Sequence, residues 1–401
     1  MVEENPKARL DLDFLPVQEG EKKFIFVRDH LGLVEGRLIP LSLFEFMIQM
    51  DGKKSLRELQ SFLMRKMGGV LVSIEEVKRI VDQLDRMYLL DSERYRNAKQ
   101  KIIREFSEKK IRPCSHCGKA YPKDPRELRK SIDQIVGEKE GSSEGDVFCI
   151  IAPHIDISVG SKVYGKVYKE IRGKRYKRVI ILGVGHQMTE GLFCLTEKDF
   201  ETPLGVVEND KEAVRRLKEV SKDLISKDDF AHKSEHSIEF QLIFLQHLLS
   251  SAFKIIPILC GSVKLEISEY TRSSYLERVK DFIRELSSII QEEKETLIVA
   301  GVDLSHIGPK FGHDMPAIYL EEKAKRHDKA LISAILKRSP DEFWEESKRV
   351  DDRFNVCGFS AIACVLEILP KEYKAELLDY QIWHERQTNS AVSFCGIKFL
   401  R

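Results

Sequence analysis

The sequence predicts an α/β protein: a mixed, mostly parallel sheet flanked by helices, preceded by a small, mainly α, winged-helix-like domain. Three observations predict it. From residue 147 onward, short apolar β-branched runs alternate with stretches of helical spacing, as in a sheet covered on both faces. Residues 1–97 lack that alternation and carry helix-start signals after one strand-like run. Between them, residues 98–146 are rich in charge and read as a connector, and at 401 residues the chain is long for one domain.

In the first domain the strand-like run is Lys23–Val27, and Ser42–Met50 has helical spacing before the turn Asp51-Gly52. Ser55 with Glu58 and Ser73 with Glu76 are capping boxes opening two further helices. The third helix mixes Glu75, Glu76, Lys78, Arg79, Asp82, Asp85 and Arg86, a poor surface for reading DNA and a better one for packing or protein contact. The arrangement resembles the small peptide-binding domains related to the PQQ-biosynthesis protein D, which present precursor peptides to radical-SAM enzymes; that resemblance implies a peptide partner here. In the connector, Cys114-Ser115-His116-Cys117 has metal-ligand or redox spacing, but no second Cys-x-x-Cys completes a zinc site. The pair is a metal or redox site, shared across a dimer, or incidental. A polar, glycine-rich loop at 138–146 leads into the main domain.

Strands are expected there at 147–152, 178–182, 192–196, 254–259 and 296–300, with two more near 376–379 and 392–395. Helices are expected at 161–172, 210–220, 236–250, 272–291, 318–337 and 359–369. Composition narrows the partners. Lys and Arg total 66 against 65 Asp and Glu, which argues against a large basic face, so neither nucleic acid nor an anionic membrane is expected. No run approaches the ~18 apolar residues of a membrane helix, and the charged start lacks a signal-peptide core. Most of the eight cysteines sit in apolar segments, as in a reducing compartment; a cytoplasmic protein is expected.

Chemistry concentrates at strand ends. Val147–Ala152 is a strand buried on both faces, Pro153 ends it, and His154 arrives at the carboxyl edge, where ligands collect in α/β sheets. Gly183-Val184-Gly185-His186 delivers a second histidine to an equivalent position. It is not a dinucleotide fingerprint, because Met188 stands where the third glycine belongs. Lys198–Gly205, with Asp199, is a rigid polar turn; His232–Glu239 opens an amphipathic helix, with His236 flanked by Glu235 and Glu239 and with His247 lining a core face. Val302–His306 closes another strand with Asp303, Ser305 and His306, and a serine hydrolase is disfavoured because Gly358-Phe359-Ser360 lacks the last glycine of a nucleophile elbow. Cys357 precedes a helix, whose N-terminus favours the thiolate. Two imidazoles and a thiolate suit iron, copper or zinc.

Ala152-Pro153-His154, Gly183–His186, Thr202-Pro203-Leu204, Glu235–Glu239, Asp303–His306 and Val356-Cys357-Gly358 follow the order and approximate spacing of the Memo family, called AmmeMemoRadiSam system protein B in prokaryotes. The resemblance covers about residues 147–400. It implies a fold like that of the class III extradiol dioxygenases, one transition metal ion (iron or copper, with zinc as an alternative) on His154, His186 and Cys357, and a pocket lined by Asp199, His236, Asp303 and His306 as acid/base residues. It also implies partnership with an AMMECR-like protein and a radical-SAM enzyme. Where the family carries small and aromatic residues after Ala-Pro-His, this chain has Ile155-Asp156-Ile157-Ser158, and Phe359-Ser360-Ala361 replaces the usual Arg and Pro after Cys-Gly. A thiolate in place of the dioxygenases' carboxylate means that ring cleavage does not follow from the fold. The expected activity is therefore that of a metal-dependent oxidoreductase, with an adaptor or a metal carrier without turnover as alternatives.

Overall fold

The structure is a computed structural model that describes residues 3–20, 22–34, 36–137 and 145–401. Residues Met1–Glu108 and Lys109–Arg401 form two compact units. In the first, β1 (Leu12–Glu19), β2 (Lys22–Asp29) and β3 (Arg37–Pro40) make an antiparallel sheet in that order, followed by α1 (Leu41–Met47), α2 (Leu56–Lys66), α3 (Ile74–Arg86) and α4 (Glu93–Ser107). Both expected capping boxes are formed. Two strands escaped the sequence reading for physical reasons: in β1 only Leu12 is buried among the described side chains, and β3 is four residues long. The buried Arg9 joins the pieces by pairing with Asp11 and Asp29 and lying over the Tyr95 ring.

The second unit begins inside the stretch expected to be a connector. Its first elements are β4 (Ile111–Arg112) and α5 (Pro125–Val136), while α4 falls in the first unit. The stretch read as a connector thus contains two helices, whose charges lie largely on their outer sides while their inner faces bury Tyr95, Phe106, Leu128 and Ile132. Most of the polar loop expected at 138–146 lies outside the described residues.

There follow β5 (Val147–Ala152), α6 (Ile157–Lys169), β6 (Arg178–Val184), β7 (Phe193–Leu195), β8 (Asp199–Thr202), β9 (Gly205–Val207), α7 (Lys211–Val220) and α8 (His236–Leu248). The chain continues through β10 (Lys254–Cys260), α9 (Val263–Glu266), α10 (Arg272–Glu292), β11 (Thr296–Gly301), β12 (His306–Ile307), α11 (Glu321–Lys337), α12 (Pro340–Val350) and α13 (Phe359–Ile368), and ends in the hairpin β13 (Lys374–Glu385) and β14 (Ser390–Leu400). The main sheet runs β12-β14-β5-β11-β6-β10-β7, with β13 added on β14. Its centre, β5-β11-β6-β10, is parallel, and the flanking pairings are antiparallel. β4, β8 and β9 form a separate small sheet.

Side chains alternate across the main sheet as strand geometry requires. Cys149, Ile151, Ile180 and Leu182 pack with residues of α7, α10, α11, α12 and α13 on one face. Ile150, Ala152, Val179 and Ile181 pack with α5, α6 and α8 on the other. Helix α8 differs from the expected amphipathic pattern: ten of its thirteen residues are buried, so it is a core helix. His247, at its end, pairs with Asp133 instead of lining the core. Among the described residues no helix is long and apolar enough to cross a membrane.

Candidate metal centre

Parallel register aligns the three strand ends that carry the site. Gly301 at the end of β11 stands beside Ala152 of β5 and Gly183 of β6. His154, His186 and Asp303 leave the sheet two or three residues later. The start of α8 packs onto these ends so closely that only glycine fits beneath it: a Cβ on Gly183 would lie 2.5 Å from Ser237 Oγ, and one on Gly301 2.4 Å from Ser237 O. Ser237 Oγ also accepts from Val184 N at 3.0 Å. The two glycines of Gly183-Val184-Gly185 therefore serve close approach rather than nucleotide binding, and Met188 folds back over Gly185.

Cys357 comes from the loop before α13. Asn355 takes a left-handed conformation (φ 49°), and Gly358 passes the end of β11 where a Cβ would meet Asp303 O at 2.7 Å. Asp303 O accepts from Gly358 N at 3.1 Å, and Cys357 Sγ lies 3.5 Å from that oxygen.

One ligand atom from each of His154, His186 and Cys357 lies within 4.8 Å of the others; His186, Glu235 and His236 form a second such group. Each histidine of the first set has one nitrogen committed. His154 Nδ1 is 2.9 Å from Gly301 O, which can only accept, so Nδ1 carries the proton and Nε2 keeps its lone pair. His186 Nδ1 is 3.0 Å from Glu235 Oε2, which fixes its tautomer the same way. Histidine metal ligands almost always donate their second N–H to a carbonyl or carboxylate in this manner. His154 Nε2 and Cys357 Sγ are 3.5 Å apart. Bonds of ~2.1 Å to nitrogen and ~2.3 Å to sulfur at a tetrahedral angle require about 3.6 Å. The His154–Cys357 spacing matches that of two donors sharing one transition metal ion.

Electrostatics set the resting state of these groups. Burial drives His154 down to about 3, helped by His186, and drives His236 down to about 3 against Glu235. Both imidazoles are neutral near pH 7. Burial pulls His186 down as well, but the charge and hydrogen bond of Glu235 outweigh it and leave His186 raised. Glu235 is held well below the usual carboxylate range by His186 and His236, against the effect of its burial. Burial lifts Asp303 to about 6 and lowers His306 to about 4. The Cys357 thiol is also pushed well up by burial and by Asp303, so the expected thiolate-favouring helix end does not prevail. A cation would reverse that, because a coordinated thiol is deprotonated outright. His154 is buried, Cys357 half-buried and the His186 side chain 33% exposed, so the cluster opens to solvent on one side of the His186 ring.

The rings of His236, His154 and His186 lie about the same point, with centroids 5.0–5.1 Å apart. Asp303 accepts from His154 N at 3.0 Å and places Oδ2 3.6 Å from its Nε2. His306 turns Nδ1 to Leu304 O and its ring edge to Phe311, and feels the charge of Asp303. Asp199 does not join them: its carboxylate accepts from Asn209 N and pairs with Lys211, in the small sheet, and none of its described contacts reaches the histidines. Asp156 caps α6, and the Ser305 hydroxyl donates to Asp328 in the core.

The sequence reading missed a second layer behind His236. Glu239, fully buried, accepts from Arg112 Nη1, Ser115 N and Oγ, His116 N and Tyr121 OH. Arg112 also donates to His232 O and Glu235 O, the segment that leads into α8. Through this network the His116 ring stands 5.7 Å from that of His236. Arg112 lies in the two-residue strand β4 and Tyr121 in the loop after it, too short for any periodicity to reveal them; the adjoining Cys-x-x-Cys was the available signal.

The site is an α/β sheet edge that gathers two imidazoles, each with one nitrogen committed, and a thiol, a group of side chains that could hold a metal ion. Residues 112–398 match the family described as Memo-like protein, and the chain belongs to the Memo family. It is 32% identical over 396 residues to a MEMO1 family protein of Aquifex aeolicus (strain VF5), covering 98% of this chain and 99% of that one, so the likeness extends through the first unit. It is 31% identical to a MEMO1 family protein of Nitrosopumilus maritimus (71% and 97% covered) and 25% to the MEMO1 family protein TTHA0924 of Thermus thermophilus (86% and 98%).

Glu239 yields a pH test. Burial works against its charge, but Arg112 and the hydrogen bonds of His116 and Tyr121 prevail and hold it well below the usual carboxylate range. A carboxylate depressed in the fold contributes stability above its unfolded value of ~4.3 and loses it as pH falls toward the folded value. Glu239→Gln should lower stability by about 3–5 kcal/mol at pH 7, because Arg112 stays buried without its carboxylate. Denaturant melts between neutral and acid pH should show that difference shrinking; a difference that persists unchanged into acid contradicts the assignment.

Proposed function

We propose that this chain is a metal-binding redox protein of the Memo family, holding one iron or copper ion on His154, His186 and Cys357 and acting as an oxidoreductase. The observation that carries the reading is the pair of committed Nδ1 atoms, His154 to Gly301 O and His186 to Glu235, on two imidazoles that cluster with Cys357 Sγ. Such an ion, when bound, supplies one-electron and dioxygen chemistry. The chain supplies the rest. Glu235 and Gly301 O orient the two imidazoles, and Asp303 O holds the Cys357 loop in place. Glu235 Oε1 lies 3.2 Å from His236 Nδ1, leaving Nε2 to exchange a proton with a bound substrate. Asp303 and His306 are further proton-holding groups on the same pocket. The open side at His186 is the way in for substrate.

Protein purified anaerobically should carry about one equivalent of metal, the single-ion set these three residues make. His186→Ala and Cys357→Ala should lose it while remaining folded, and Glu235→Gln should weaken metal affinity by roughly 10–100-fold. Unchanged metal content in both ligand variants sinks the reading. A carrier without turnover would instead release its metal rapidly to chelators.

A different observation favours a second reading, an adaptor working with an AMMECR-like protein and a radical-SAM enzyme. In the first unit, among the described residues, β3 pairs only with β2, and its Arg37 and Leu38 line a cleft with Leu43, Gln83 and Met87. An open strand edge next to apolar side chains can take an extended peptide as an added strand. Leu38→Glu should then abolish capture of the radical-SAM partner and leave metal content intact; undiminished capture argues against it.

A further inference from the structure

Cys114 and Cys117 are joined as a disulfide across Ser115 and His116, in the loop between β4 and α5. Both are half-buried and reachable from solvent, whereas Cys149, Cys194, Cys260, Cys364 and Cys395 are buried and Cys357 belongs to the metal pocket. The bond is not what holds its turn. Ser115 N, Ser115 Oγ and His116 N all donate to Glu239, Lys119 N and Ala120 N donate to His116 O, and Gly118 N donates to Tyr121 O. Closing so short a loop also removes little entropy from the unfolded chain. A disulfide that adds little stability, in a turn that stands without it, can open and close with the protein folded.

We propose that Cys114 and Cys117 form a thiol–disulfide exchange site for small thiols, set in the wall of the histidine pocket. Cys117 packs against the apolar cluster beneath the loop, so the entering thiolate attacks Cys114 Sγ. The Cys114–Cys117 bond breaks, a mixed disulfide forms on Cys114, and Cys117 leaves as a thiolate that takes a proton from solvent. A second thiolate attacks the sulfur of the bound small thiol, releasing the small disulfide and the Cys114 thiolate, which is protonated in turn. Two electrons pass from two small thiols to the protein pair, and the reverse sequence reoxidises it. The site requires no metal at His154, yet His116 within its turn faces His236, so the pair works within one ring of the pocket.

The test is to equilibrate the full-length protein in buffers of reduced and oxidised glutathione, alkylate free thiols, and map the peptide containing residues 114–117 by mass. The expected result is complete, reversible conversion between disulfide and doubly alkylated dithiol, following the square of the glutathione concentration over that of its disulfide, with circular dichroism unchanged. A pair that stays closed in excess dithiothreitol while folded, that never closes in oxidised glutathione, or that opens only with unfolding overturns the proposal. In single variants, Cys114 in Cys117→Ser should form a glutathione adduct at least about tenfold faster than Cys117 in Cys114→Ser, as access dictates; equal rates overturn the order of attack. The unmutated protein decides the main question should a variant fail to fold.

Discussion

The contact on which the site depends is Ser237 against the paired glycines Gly183 and Gly301. Parallel register places those glycines side by side, and the missing Cβ atoms let the first turn of α8 settle on the carboxyl edge of the sheet. Because Ser237 is held there, Glu235 comes within hydrogen-bond reach of His186 and His236 comes against both His154 and His186. A wider spacing would leave the His186 ring without the carboxylate that orients it. The sheet supplies the positions, and the close helix supplies the orientation.

Behind that contact lies a buried charge balance. Glu239 anchors the loop from Arg112 to Tyr121, and Arg112 in turn holds the carbonyls of His232 and Glu235. The same network thus fixes the entry to α8 and the wall that carries His116. Burial keeps His154 and His236 uncharged, while Glu235 retains its charge, so the pocket presents neutral nitrogens backed by a carboxylate. That is the electrostatic state a cation stabilises, and a cation also removes the obstacle to ionising Cys357.

Much of this was legible in the sequence, for reasons that differ residue by residue. Strand ends were readable because Val147–Ala152, Arg178–Val184 and Thr296–Gly301 are continuous apolar runs, and that placed His154, His186 and Asp303 on one edge. Cys357 came from its position before a helix and from the Memo resemblance. Asp199 was drawn in by its motif although its carboxylate serves the small sheet, since a local pattern carries no information on which way a strand side chain faces. The hairpin Lys374–Leu400 is far longer than its two apolar fragments suggested, because β13 is half-exposed along its length. The Arg112–Glu239 network was invisible: the residues are 127 apart, and charge density over that stretch reads as solvent-facing until packing shows which single arginine and glutamate point inward. Helix α12 went unread too, its few buried residues, Phe343, Trp344 and Ser347, lying among charges.

The central claim is that His154, His186 and Cys357 together hold one ion. X-ray absorption at the metal edge, on the protein loaded with iron or copper, tests it most directly, because it reads ligand type and distance without reference to turnover. The account predicts nitrogen scatterers with the outer-shell pattern of imidazole and one sulfur at about 2.3 Å, the distance of a metal–thiolate bond. The sulfur should vanish in Cys357→Ala. A first shell of nitrogen and oxygen alone in the unmutated protein would contradict it.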